Sequence, residues 1–82
     1  MRVKVRFLGV DIPPGVGPCE MELADGATVA EALAESVQRR DVGIPLVQLM
    51  ESMFLVGSTA VRPDRVLCDG EKLSVIRTLA GG

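Results

Sequence analysis

The chain has no histidine, no tryptophan and no tyrosine, and only two cysteines in 82 residues. Without histidine it can build neither a Ser/His/Asp triad, nor a Cys/His dyad, nor a histidine-ligated metal site. Cys19 and Cys68 stand far apart, outside any C-x-x-C pair, and two thiolates are too few for a four-cysteine zinc or iron–sulfur centre. They read as two small hydrophobes, although an even number leaves a disulfide open. Phe7 and Phe54 are the only aromatics, so the stacking platforms of single-stranded nucleic-acid binders are missing. Nine basic against eleven acidic residues give a net charge of −2, without the basic excess that phosphate-backbone binding demands. No apolar run approaches the roughly 18 residues of a membrane span. Arg2, Lys4 and Arg6 interrupt the N-terminal apolar stretch, so no signal-peptide core is recognisable. The expectations are a cytoplasmic protein with no nucleic-acid or membrane partner and no metal.

What is present is an aliphatic core. Hydrophobic residues make up 48% of the chain, enough for one small domain, and two separately cored domains would each need about 50 residues or more. Val3, Val5 and Phe7 alternate with Arg2, Lys4 and Arg6, the pattern of a strand with one buried face. Residues 11–18 hold three prolines and two glycines and predict a wide hairpin loop. Gly15-Val16-Gly17 is not a dinucleotide fingerprint, because Glu20 stands where its third glycine belongs and a strand pattern follows. Cys19, Met21 and Leu23 form that second strand.

Asp25-Gly26 turns the chain, and Thr28 with Glu31 makes a capping-box signature. The helix it opens runs to about Arg40, with Val29, Ala32, Leu33, Ser36 and Val37 on its core-facing stripe. Pro45, Leu46, Leu49, Met50 and Met53 have helical spacing and predict a short second helix, its methionines filling gaps in the core. Phe54-Leu55-Val56 predicts a third strand, residues 57–59 a turn, and Ala60-Val61-Arg62 a short fourth strand. After the Asp69-Gly70 turn, a last strand runs from about Lys72 to Arg77. A hairpin, a crossover helix and further strands predict an α+β fold of the β-grasp type, a mixed four- to five-stranded sheet with one main helix on one face. In that fold the first and last strands are parallel neighbours. Lys4 and Arg6 then share the open face with Ser74 and Ile76, with Leu8 near one end. That face is either a docking surface or an ordinary solvated sheet face.

The division expected is a β-grasp domain over residues 1–77 and a flexible tail over 78–82, ending Leu79-Ala80-Gly81-Gly82. Glycine at both of the last two positions arises by chance about 0.5% of the time. A frayed end explains it blandly. Functionally, glycines lacking a Cβ can thread a slot too narrow for other residues and leave the terminal carboxyl carbon unshielded. Six extended residues from Arg77 reach roughly 20 Å, beyond the body of the domain. A carboxylate resists nucleophilic attack until ATP converts it to an acyl anhydride with a good leaving group. Lacking a G-x-x-x-x-G-K cradle and a histidine base, the chain is not expected to catalyse that step itself. It reads as a co-substrate rather than an enzyme, binding no cofactor, with ATP and Mg used by an activating partner.

Residues 3–7 (VKVRF), 26–33 (GATVAEAL), 66–75 (VLCDGEKLSV) and the closing LAGG resemble, in consistent order, the ThiS/MoaD family of ubiquitin-like sulfur carriers. The resemblance implies that Gly82 is adenylated by an E1-like enzyme and converted to a thiocarboxylate whose sulfur is delivered to a biosynthetic substrate. In the molybdopterin branch it also implies a large-subunit partner, the other half of molybdopterin synthase. Gly81, Ala80, Leu79, Arg77, Ile76, Arg6, Lys4 and Leu8 become the expected partner-binding residues. The chain departs from the family where Val56-Gly57-Ser58 replaces Val-Asn-Gly and where Arg77-Thr78 replaces a proline pair often seen before the tail. Its long loop after the first strand is closer to the molybdopterin type. A thiazole, cysteine or secondary-metabolite carrier, a lysine-conjugated modifier and a plain interaction module are the alternatives.

Overall fold

The computed structural model describes residues 1–9, 12, 16–39 and 43–77. The elements run β1 (Arg2–Gly9), β2 (Cys19–Glu22), α1 (Val29–Arg39), α2 (Leu46–Leu49), β3 (Met53–Val56), β4 (Thr59–Val61) and β5 (Lys72–Arg77). The five strands form one sheet in the order β2-β1-β5-β3-β4. β1 and β5 are parallel, and the other neighbours are antiparallel. This is the expected β-grasp, with five strands.

Alternation decides which face each strand buries. Val3, Val5 and Phe7 of β1, Leu73 and Val75 of β5, and Phe54 and Val56 of β3 join Val29, Ala32 and Leu33 of α1 in one core. Each fully buried aliphatic side chain contributes about 1.5–3 kcal/mol relative to an exposed one. Ser36 lies in the same buried stripe and resolves its hydroxyl locally, donating to Ala32 O at 2.8 Å. Val37 is half-buried at the end of the stripe. On the outer face Arg39 Nε donates to Glu35 at 2.9 Å, an i,i+4 pair in the favourable order.

The predicted capping box forms in full. Glu31 N donates to Thr28 Oγ1 at 3.3 Å, and Thr28 N donates to Glu31 Oε1 at 3.1 Å. Val29 N and Ala30 N donate instead to Arg65 O and Pro63 O, so the segment leading to β5 completes the helix start. That segment is itself fastened by Glu71, which accepts from both terminal nitrogens of Arg65 and from Cys68 N at 2.6 Å.

Three expectations need correction. Met53 opens β3 rather than closing a helix, and it is 53% exposed, so it fills no core gap. Of the apolar residues assigned to the second helix, Leu49 is the one fully buried. The turn after β3 occupies Gly57-Ser58 and releases Thr59 into β4, one residue earlier than expected. Gly57 takes φ +63 there, a conformation that favours glycine. Cys68 is exposed rather than a small core hydrophobe, and both cysteines are free thiols. Arg40 lies outside the described residues.

Candidate functional site

The sheet has one face covered by α1 and one left open. Parallel pairing of β1 with β5 sets Lys4 opposite Lys72, Arg6 opposite Ser74 and Leu8 opposite Ile76. Four of the expected partner-binding residues, Lys4, Arg6, Leu8 and Ile76, are therefore brought together on the open face. Antiparallel pairing continues the rows into β3, where Leu55 faces Ser74 and Met53 faces Ile76.

The face has two halves of different chemistry. Lys4, Arg6, Lys72, Ser74, Gly57 and Pro18 line a concavity of about 390 Å³. Arg6 Nε donates to Ser74 Oγ at 2.9 Å, which holds the guanidinium over the sheet and explains how a serine on the open face comes to be 3% exposed. Three cations thus gather in a chain whose net charge is −2. The nearest acid in the register, Glu20, stands opposite Lys4 and pairs with Arg2 at 3.4 Å. Toward the other end the face turns apolar, with Leu8 42% and Met53 53% exposed beside the half-buried Leu55 and Ile76. Lys72 and Met53 were not among the expected site residues. Lys72 was legible, because it has the same strand parity as Ser74 and Ile76. Met53 was hidden by its helical spacing from Leu46, Leu49 and Met50.

Arg77 closes β5 at the apolar end, paired with Gly9. Its guanidinium Nη1 donates to Gln48 O at 2.6 Å and to Ser52 Oγ at 3.3 Å, so this expected partner-binding residue has partners within its own chain. Leu79, Ala80, Gly81 and Gly82 lie outside the described residues. Among the described residues no group of three or more Cys, Asp or Glu could hold a metal ion, and no helix is long and apolar enough to cross a membrane.

No protein-family model matches the chain, and a search of curated proteins finds no relative. Solved structures do match. SAMP1 from Haloferax volcanii superposes with a TM-score of 0.73 at 18% identity, covering 100% of both chains. A protein assigned as molybdopterin converting factor subunit 1 from Pyrococcus furiosus gives 0.64 at 22% identity, covering 95% of this chain and 98% of its own. The ubiquitin of Caldiarchaeum subterraneum gives 0.65 at 21% identity, with 100% and 98% covered. At such identities a likeness speaks for the fold. The chain has the ubiquitin-like β-grasp fold, which agrees with the ThiS/MoaD resemblance carried by its sequence.

Proposed function

We propose that this chain is a ubiquitin-like sulfur carrier that is loaded and unloaded at Gly82 by other proteins. The observation that carries the reading is topological. The strand at the centre of the sheet, β5, leads directly into the five residues 78–82 that end in Gly81-Gly82. The domain has a radius of gyration of 11.7 Å, and five extended residues reach about 17 Å. A tail so rooted can present its acyl end inside another protein's active site.

The chemistry balances without any catalyst from this chain. The Gly82 carboxylate attacks the α-phosphorus of ATP on an E1-like enzyme, with Mg at the phosphates, and pyrophosphate leaves. A hydrosulfide equivalent then attacks the acyl carbon, AMP departs with the electron pair of the broken C–O bond, and one proton is released. The product is a terminal thiocarboxylate. The destination we favour is the dithiolene of a molybdopterin, with the large subunit of a molybdopterin synthase as acceptor. A thiazole, cysteine or other sulfur-containing product would use the same loading step. The proposal requires that the mature chain end at Gly82.

Top-down mass spectrometry of protein made together with its activating enzyme tests this. The expected result is replacement of one oxygen by sulfur, located on Gly82. Location matters because oxidation of any of the four methionines adds nearly the same mass. A Gly82 that remains an ordinary carboxyl refutes the carrier reading. A second reading, conjugation of Gly82 to lysine, is favoured by two of the structural neighbours, one a small archaeal modifier protein and one a ubiquitin. It predicts isopeptide bonds from Gly82 to lysines of other proteins, left after trypsin as Thr-Leu-Ala-Gly-Gly remnants because the last cleavage site is Arg77, and no thiocarboxylate.

A further inference from the structure

We propose that Arg77 and Gly9 form a two-sided clamp that fixes the point and direction in which the tail leaves the domain, which makes both of them positioning residues for loading at Gly82. The inference rests on the reading of Gly82 just given.

On one side stands Gly9, the parallel-register partner of Arg77. Its φ is +138, and a Cβ built on it would lie 2.6 Å from Arg77 Cβ, 2.9 Å from Arg77 C and closer still to the Arg77 carbonyl oxygen. Side-chain Cβ atoms do not approach this closely, and the nearest obstacles are backbone rather than the yielding tip of a long side chain. The Arg77 backbone is therefore seated on Gly9 in a way no other residue permits. On the other side, the Arg77 side chain reaches α2 and the segment that follows it, donating to Gln48 O in the helix and to Ser52 Oγ just before β3. Strand ends ordinarily fray, and the two acceptors offset the rotamer freedom that a long arginine side chain loses when it is held in one geometry. Tying the last residue of β5 to both flanks opposes that fraying.

The clamp also sets what surrounds the tail root. Leu8 adjoins Gly9, Met53 adjoins Ser52, and Leu46 and Val47 are the two residues before Gln48. These four are among the exposed large hydrophobics, Val47 reaching 71% exposure. The clamp residues are thus flanked in sequence by exposed apolar side chains, and a protein that docks there meets a tail of fixed origin. Loosening the root lengthens the effective tether, and effective concentration falls with about the 3/2 power of tether length. Lost orientation adds to this, because small misplacements of reacting groups slow reactions disproportionately.

The test uses the full chain in three variants beside wild type: Arg77→Ala, Arg77→Lys and Gly9→Ala. Backbone ¹⁵N relaxation reads the clamp directly. The Arg77 amide is expected near the rigid value of about 0.85 in wild type and below about 0.6 in Arg77→Ala. Loading with an E1-like enzyme, ATP, Mg and sulfide, followed on Gly82 by mass spectrometry, reads its consequence. Arg77→Ala is expected to lower the loading rate at limiting carrier by about threefold or more, with partial recovery in Arg77→Lys, which keeps a donor for Gln48 O. Gly9→Ala is expected to reproduce the Arg77→Ala defect although it removes no charge, which separates positioning from direct contact of Arg77 with the enzyme. Should Gly9→Ala fail to fold, the relaxation and loading of Arg77→Ala still decide the matter. Wild-type order at Arg77 in the Ala variant, or wild-type loading in both variants, overturns the clamp and leaves the carrier reading standing. If wild type itself is not loaded, the carrier reading falls and the positioning role falls with it.

Discussion

Thr28→Ala tests how the start of α1 is satisfied, because the accounts of its backbone donors close. The first four N–H groups of a helix have no partner within it. Here Thr28 N donates to Glu31 Oε1 at 3.1 Å, Val29 N and Ala30 N donate to the carbonyls of Arg65 and Pro63, and Glu31 N is left to the Thr28 hydroxyl at 3.3 Å, before Ala32 N opens the helix ladder at Thr28 O. Alanine at 28 keeps the bonds of Val29, Ala30 and Ala32, and it leaves one donor to find water. The site is partly exposed, so the expected loss is about 1 kcal/mol, in the middle of the range for cap removal. It should not approach the several kcal/mol of an unpaired buried group. For a domain of this size that loss lowers the melting temperature by about 4–8 °C. Thermal unfolding by far-UV circular dichroism measures it, with a urea titration to check that the slope is unchanged. Thr28→Ser keeps the cap oxygen and should recover most of the loss. If Thr28→Ser is as unstable as Thr28→Ala, the methyl group and the bridge of Thr28 to Val66 matter more than the cap, and the donor accounting is wrong.

The remaining predictions concern charge and the tail. Glu71 has its carboxyl held below the usual carboxylate range, first by the hydrogen bond from Arg65, with Cys68 N–H adding to the effect against partial burial. A depressed folded-state pKa stabilises above the unfolded pKa of about 4.3 and is lost as pH falls through the folded value. Glu71→Gln should therefore melt below wild type at neutral pH and converge with it in acid, and an equal gap at both pH values would contradict the pairing. On the open face, Lys4→Glu places a carboxylate in the Lys4–Arg6–Lys72 concavity without stripping Ser74 of the hydrogen bond that Arg6 gives it. If an acidic partner docks there, loading of Gly82 should slow by about tenfold at low salt, with the difference shrinking as salt rises. Unchanged loading at every ionic strength would make this an ordinary solvated face. One alanine added after Gly82 should abolish loading, and loading of the intact extended chain, shown by its mass, would sink the carrier reading.

Much of the architecture was legible because local pattern and tertiary need agree in this chain. Strict alternation marked β1, the Thr28–Glu31 spacing marked the helix start, and a single hairpin-helix-strand order left few ways to close the sheet. The open-face group Lys4, Arg6, Leu8 and Ile76 followed from strand parity once β1 and β5 were made parallel neighbours. Legibility failed where a residue's environment is set from across the sheet. Met53 sits at helical spacing from Leu49 and Met50, yet its pairing with Ile76 makes it strand. Ser74 has the parity of an exposed residue and is buried because Arg6 lies over it. Arg77 read as the end of the last strand and as a partner-binding residue, while its bond to Gln48 O spans 29 residues of sequence. Gly9 carried no local signal, since nothing near it in sequence announces that Arg77 will pack against it.

The position of β5 ties the fold to the proposed work of the tail. A tail gripped by another protein transmits force to the strand it continues. An edge strand such as β2 or β4 is held by one ladder and can peel residue by residue. β5 is held by two, parallel to β1 over Lys72–Arg77 and antiparallel to β3. It also buries Leu73 and Val75 completely in the core. Peeling it from the tail end means breaking both ladders together and, first of all, the contacts of Arg77 with Gly9, Gln48 and Ser52. A handle that is repeatedly seized and released is best rooted where local opening is least favourable, and the strand order of this sheet roots it there.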